Sequence, residues 1–337
     1  MRRITTLVLA CLVALGAATQ TNAQTQTKRL QDINIRDPFI MPDKKQGVYY
    51  MYQSSSTSEN GRAYGGMIAW KSRDLKSWEG PIRVFDVPRD NWITGGVWAP
   101  EVHKYKGKYY LFATLNSDVR WKGAVKHHPA YNHRATQIFW SKSPEGPFLP
   151  FEGKQPHTPL DEMCLDGTLW VENGTPYMIY CHEWVETLDG EMDLVELKKD
   201  LSAPVGESQR LFCASAAEWS TGGNTAFEGK KSYVTDGCFL YRTKAGKLLM
   251  VWSSFKDGVY AVGIAESDTG KVIGPWRQQR EPLFVNGGHS MIFEDFEGRL
   301  CLVLHSPNSP GGKERAHIYE LEDLGHTLKI KGEISEY

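Results

Sequence analysis

Five times along the chain an acidic or polar residue is followed eight to ten positions later by a glycine. Apolar or aromatic residues come next, and a short polar cluster closes the phrase. The phrases lead from Asp37-Pro38-Phe39-Ile40 to Gly47, from Trp98-Ala99-Pro100-Glu101 to Gly107, and from Asp166-Gly167-Thr168-Leu169 to Gly174. The last two lead from Asp236-Gly237-Cys238-Phe239 to Gly246 and from His289-Ser290-Met291-Ile292 to Gly298. The glycines stand roughly 50 to 70 residues apart, and a strand-rich repeat of that size predicts an all-β, five-bladed β-propeller of four-stranded antiparallel blades. Repetition brings equivalent positions to one axis, so Asp37, Trp98, Asp166, Asp236 and His289 are expected to meet there, three of them as aspartates.

Gly80-Pro81, Gly146-Pro147 and Gly274-Pro275 separate outer from inner strands, because proline lacks the donor that a central strand needs. In the first unit strands are expected over 36–40, 47–52, 65–71 and 77–84, with a polar loop over 53–64. The second unit carries the longest loop, 115–135. Its His127, His128 and His133 have no acidic or cysteine partner nearby and read as part of a substrate-side lid. Each hairpin leaves one face and returns to it, so that face also collects Gln53, Thr114, His182-Glu183-Trp184, Ser253-Ser254 and His305. A polar, acidic depression rimmed with aromatics follows, and such a hollow suits a ligand.

The termini and composition narrow the class. Arg2 and Arg3, the apolar stretch 7–17 and Thr21-Asn22-Ala23 read as a secretion signal over 1–23. The stretch is too short for a membrane span. The protein is therefore expected to be exported, to periplasm or medium, with lipid anchoring at Cys11 as the alternative. A short linker, 24–31, precedes a single propeller domain over 32–337, expected to be a monomer. A net charge of −1 without a concentrated basic patch argues against nucleic acid. Cys164, Cys181, Cys213, Cys238 and Cys301 are odd in number and lack C-x-x-C spacing, so they read as small buried hydrophobes. Most of the 11 tryptophans are expected to serve strands.

Carboxylates converging on one pocket suit glycosidic-bond hydrolysis, in which one stays protonated to release the leaving oxygen and another stays ionised. Crowding like charges pushes their pKa values apart. The ordered segments Arg36-Asp37-Pro38-Phe39, Val97-Trp98-Ala99-Pro100-Glu101, Leu165-Asp166-Gly167, Thr235-Asp236-Gly237 and Gly287-Gly288-His289-Ser290-Met291 resemble glycoside hydrolase family 43 over residues 32 to 332. That resemblance implies a five-bladed propeller acting with inversion on arabinose-, xylose- or galactose-containing plant glycans. It implies Asp37 as general base, Asp166 as the residue that tunes pKa and orients the sugar, and Asp236 as general acid. The family shows Thr-Glu-Gly-Pro where this chain has Thr235-Asp236-Gly237-Cys238, so the donor is one methylene short. Glu183 is the alternative acid.

The same resemblance implies no required cofactor, with a calcium ion in the central channel held near His289 through water. It also implies that Arg315 contacts the sugar. Trp98 is read as a stacking platform, Glu183 and His289 as further sugar contacts, and Glu101 as structural. Two rival readings remain: a non-catalytic glycan-binding propeller, and a related fructoside-acting hydrolase, whose Asn-Asp-Pro-Asn segment is missing here.

Overall fold

The computed structural model describes residues 26–120, 131–227 and 230–335. The signal segment with Cys11, and His127 and His128, lie outside the described residues.

The repeat glycines are hairpin turns. Gly47, Gly107, Gly174, Gly246 and Gly298 all have φ between +64° and +82°. At the last four nothing lies within 4 Å of where a Cβ would stand. The backbone dihedral, not crowding, is what demands glycine. Lys106-Gly107 and Asn173-Gly174 both have positive φ and link directly paired residues, the two-residue turn that suits twisted strands.

Five antiparallel blades follow, each contiguous in sequence, with a separate two-stranded sheet of Gly223–Phe227 and Lys230–Ser232. Blade one holds Phe39–Asp43, Val48–Glu59, Arg62–Ser72 and Ser77–Asp86 from axis to rim. Blade two holds Gly96–Tyr105, Lys108–Arg120, Asn132–Ser141 and Leu149–Pro150, and blade three Cys164–Glu172, Thr175–His182, Glu191–Leu197 and Pro204–Cys213. Blade four holds Asp236–Arg242, Leu248–Lys256, Val259–Ser267 and Trp276–Gln278, with Phe284–Val285 also paired to its third strand. Blade five holds Gly288–Glu294, Leu300–Ser306, Arg315–Asp323 and Leu328–Glu333. Residues Gln26–Arg29, read above as linker, add a fifth strand to blade one by pairing with 77–80.

Two loop expectations are corrected. The 53–64 segment is regular hairpin, paired without a break from Tyr49↔Ser72 to Glu59↔Arg62 and turned at Asn60-Gly61. Its serines and threonines are half-buried or exposed in turn, so no apolar alternation marks them. In 115–135, likewise, the strands extend to Arg120 and resume at Asn132, which are paired.

Inner and middle strands form the core. Tyr50, Met51, Tyr52, Phe112, Ile179, Met250, Trp252, Leu302 and Val303 are almost wholly buried, so the blades pack face to face around the axis. Among the described residues no strand is shared between the first blade and the last. Apolar packing, with Met291, Phe293 and Ile318 in one cluster with Ile35 and Ile40, joins them, and polar contacts line the seam. Asn34 Nδ2 donates to Glu314 O (2.9 Å), Arg36 Nη2 to Asn308 Oδ1 (2.6 Å) and Arg315 Nε to Gln31 O (2.7 Å).

Candidate active site

Four of the five innermost strands break step near the cavity end. The register shifts between Trp98 and Glu101, Leu165 and Thr168, Asp236 and Phe239, and Gly288 and Met291. One residue at each break has positive φ, namely Ala99 (40°), Asp166 (56°), Gly237 (43°) and His289 (50°), and so has Asp37 (52°), two residues before the innermost strand of blade one. That conformation is sparsely populated for residues with a side chain and re-aims them out of the strand's alternation.

The equivalence expected from the repeat is therefore corrected. Asp37, Asp166 and His289 share a position with Ala99 and Gly237. Trp98 and Asp236 stand one residue earlier, level with Leu165 and Gly288. The three aspartates meet, but from two different backbone positions. Neighbouring blades hold the bulges in place: Asp166 N donates to Thr114 Oγ1 (2.8 Å) and His289 N to Ser253 Oγ (2.9 Å). Gly237 suits its place because a Cβ there would stand 2.6 Å from His289 Cγ.

A cavity of about 470 Å³ opens at this end of the axis, and Asp37, Asp166, Asp236, Glu183, Trp98 and His289 all line it. Asp37 is surrounded by nitrogen: His289 Nδ1 at 3.3 Å, His305 Nδ1 at 3.2 Å and Arg36 Nε at 3.8 Å. His305 Nδ1 also faces the Asp37 amide at 3.2 Å, so it accepts from that N–H when neutral and donates to the carboxylate when protonated. Burial works to raise the Asp37 pKa. The neighbouring His289, His305 and Arg36 outweigh it and hold the carboxyl well below its ordinary range.

The other two aspartates form a pair. Asp166 and Asp236 bring carboxylate oxygens within 4.8 Å of each other. Asp166 Oδ2 accepts from Gly237 N (3.1 Å), and Asp236 Oδ2 from the Tyr260 hydroxyl (2.6 Å). Burial first, and the charges of Asp236 and Asp37 next, push Asp166 well above the usual carboxylate range. Asp166 is thus the carboxyl that keeps its proton where Asp37 gives one up, as opposite surroundings require.

Glu183 is buried in the cavity wall rather than free on the rim, with Arg134 Nη1 2.6 Å from both its oxygens. Burial, helped by the charge of Asp236 and opposed by Arg134, raises it to about 7. The Arg134 guanidinium lies 4.5 Å from the ring centre of Trp98, which is itself 41% exposed and offers a flat apolar surface to the cavity.

Arg315 is not among the residues lining this cavity, and its guanidinium donates to Gln31 O and Glu314 O at the blade-five seam. Arg36 and Arg134 are the arginines at the site, and both went unnoticed in the sequence. Arg36 directly precedes Asp37 in the quoted motif. Arg134 was hidden in a segment taken for loop. Of the remaining candidates, His133 faces Leu160 O (3.2 Å) and the edge of Trp92, and Glu101 pairs with His103 (2.7 Å) away from the cavity. All five described cysteines are free.

An ionised carboxylate and a protonated carboxyl share one sugar-sized cavity with an exposed indole on its wall. That is the equipment of a glycoside hydrolase. Residues 31–324 match the family described as Glycosyl hydrolases family 43, and the chain belongs to that family of O-glycosyl hydrolases. It is similar to an endo-arabinase from Bacteroides thetaiotaomicron VPI-5482, with 38% identity and a TM-score of 0.75 over 87% of this chain and 96% of that one. An endo-1,4-beta-xylanase from the same organism (23% identity, TM-score 0.68, 92% of this chain and 98% of that one) shares the fold. So does an alpha-L-arabinofuranosidase from Lactobacillus brevis (16% identity, TM-score 0.66, 90% and 97%). No curated protein matches the chain.

Proposed function

We propose that the protein is an exported, inverting glycosidase that cleaves α-L-arabinofuranosyl linkages in plant polysaccharides or oligosaccharides, with β-xylosyl or galactosyl linkages as the nearest alternatives. The observation that carries the mechanism is the split in protonation: Asp37 is held ionised by His289, His305 and Arg36, while Asp166, beside Asp236, keeps a proton. Asp37 accepts a proton from a water that attacks the anomeric carbon. Asp236 passes a proton to the departing oxygen, and Asp166 keeps it poised. Trp98 stacks on a sugar face, with Arg134 behind it. The preference for arabinose rests on the 38% identical endo-arabinase.

Export rests on the 1–23 segment. Among the described residues no helix is long and apolar enough to cross a membrane.

The residues fit an axial calcium ion only in part. Asp166, Asp236 and His289 each bring a ligand atom within 4.8 Å of the others. Asp166 is held protonated here, and calcium prefers more oxygen ligands than these residues bring. When bound, such an ion would be held through water at His289 and would steady that ring; no step depends on it.

The test is NMR of the first sugar released from arabinan and from an aryl arabinofuranoside. Inversion is expected. Retention would remove water as the attacking group, since retention needs a carboxylate nucleophile in its place. A second reading has Glu183 as acid, supported by its burial and its pKa of about 7.

A further inference from the structure

We propose that Glu162, His182, Glu191 and Asp193 bind one divalent transition-metal ion, Zn²⁺ first among candidates, at the cavity-side end of blade three. His182 ends the second strand and pairs with Glu191 at the start of the third. Asp193 lies two residues on, and so on the same sheet face as Glu191. Glu162 comes just before Cys164–Glu172, the innermost strand.

The orientation of the imidazole carries the argument. His182 Nε2 stands 3.0 Å from Glu186 Oε2, and that same oxygen accepts from Met163 N at 2.7 Å. Nε2 is thereby the protonated nitrogen, and Glu186 is fixed from behind. Nδ1 turns to three carboxylates at once: Glu191 Oε2 at 3.4 Å, Glu162 Oε2 at 3.8 Å and Asp193 Oδ2 at 4.0 Å. A carboxylate behind one ring nitrogen and oxygen ligands around the other is how proteins present histidine to a metal. The Glu191 separation already matches the ~3.3–3.6 Å between neighbouring ligands of a tetrahedral zinc ion, and those of Glu162 and Asp193 are a few tenths of an ångström wider, so small side-chain rotations complete the shell.

A second observation comes from Asp193. Its side chain is only 8% exposed, its Oδ1 has no hydrogen-bond partner, and its other oxygen aims at the cluster. A buried carboxylate oxygen without a donor is costly unless a cation meets it. Arg210 reaches Glu191 from the outside, at Oε1 (3.0 Å), and leaves Oε2 directed inward. One imidazole with three carboxylates suits zinc or manganese better than calcium. His182 and Glu191 bracket the turn that carries Glu183 and Trp184, so the ion would brace the wall of the sugar cavity.

The test uses the full chain stripped with EDTA, then titrated separately with ZnCl₂, MnCl₂ and CaCl₂ by calorimetry, with melting followed by circular dichroism. One Zn²⁺ or Mn²⁺ per chain is expected, raising Tm by several degrees at saturation. Asp193→Asn and His182→Gln should lose that binding, Glu186→Gln should weaken it roughly 10- to 100-fold, and His289→Asn should keep it. Asp193→Asn in EDTA should melt no lower than the stripped parent, because it removes a buried charge without changing shape. Should either ligand variant fail to fold, the Glu186→Gln affinity decides. Lack of zinc and manganese uptake by the parent overturns the site. So do uptake of calcium alone, binding untouched by the blade-three variants, and binding lost only with His289.

Discussion

Two groups of acids gather round a histidine in this protein, one about His289 at the axis and one about His182 in blade three, and their surroundings differ in kind. At the axis the compensating nitrogens crowd on Asp37, and His289 Nδ1 reaches Asp166 Oδ2 less closely, at 3.8 Å. His289, His305 and Arg36 surround Asp37, while Asp166 and Asp236 face each other. Protons are therefore distributed unequally, and a base and an acid coexist a few ångströms apart. In blade three the carboxylates turn on a single imidazole, Glu186 at Nε2 and the other three at Nδ1. Burial, with Glu191 and Glu162 adding and Arg210 opposing, lifts Asp193 to about 7, and nothing there separates an acid from a base. An inventory of acidic residues does not distinguish the two places. The positions of the compensating charges do.

The largest effect that could break this contrast is at Asp37. Asp37→Asn should lower kcat/KM by roughly 10²- to 10⁴-fold, since the base is lost while the cavity keeps its shape. A variant within about tenfold of the parent would place the base elsewhere. Next come the two candidate acids. Asp236→Asn should cost about 100-fold on arabinan, whose leaving group needs a proton, and far less on an aryl glycoside with a good leaving group. Glu183→Gln should slow both substrates alike. The reverse pattern, with Glu183→Gln alone sensitive to the leaving group, transfers the acid role to Glu183.

The repeat made the propeller legible because its turns require glycine: Gly107 and Gly174 follow residues that also have positive φ, and no other residue type suits that place as well. The hairpin over 53–64 carried an equally local mark, Asn60-Gly61, which was passed over because its flanks lack apolar alternation. At the site, Asp37 and Asp166 could be found by position, and Asp236 was found although its register differs by one residue. That difference was not legible, since a bulge shifts backbone geometry without leaving a mark in composition. Arg315 and Arg134 show the further limit. An arginine's reach allows several partners, and which one it takes depends on strands distant in sequence. Arg315 went to Gln31 O, while Arg134 settled between Glu183 and Trp98.

The smallest prediction concerns stability rather than turnover, and it sharpens the comparison because Glu183 lies beside His182 in sequence and is pushed upward by the charge of Asp236. Its folded pKa of about 7 stands above the ordinary glutamate value, so its protonated form is the one folding favours. The stabilisation is complete below about pH 4.5 and is lost as pH rises through 7. For a group this buried the loss between pH 4.5 and 8 is on the order of 3 kcal/mol. Glu183→Gln carries no titrating proton there, so urea unfolding in EDTA should give it a flatter pH profile over that interval. Asp236→Asn should make the parent's drop smaller and complete it at lower pH, because without that negative charge the folded Glu183 ionises more readily. Parallel profiles for parent and Glu183→Gln would mean that Arg134 already holds the carboxylate charged, leaving Glu183 no part in either proton transfer or pH response.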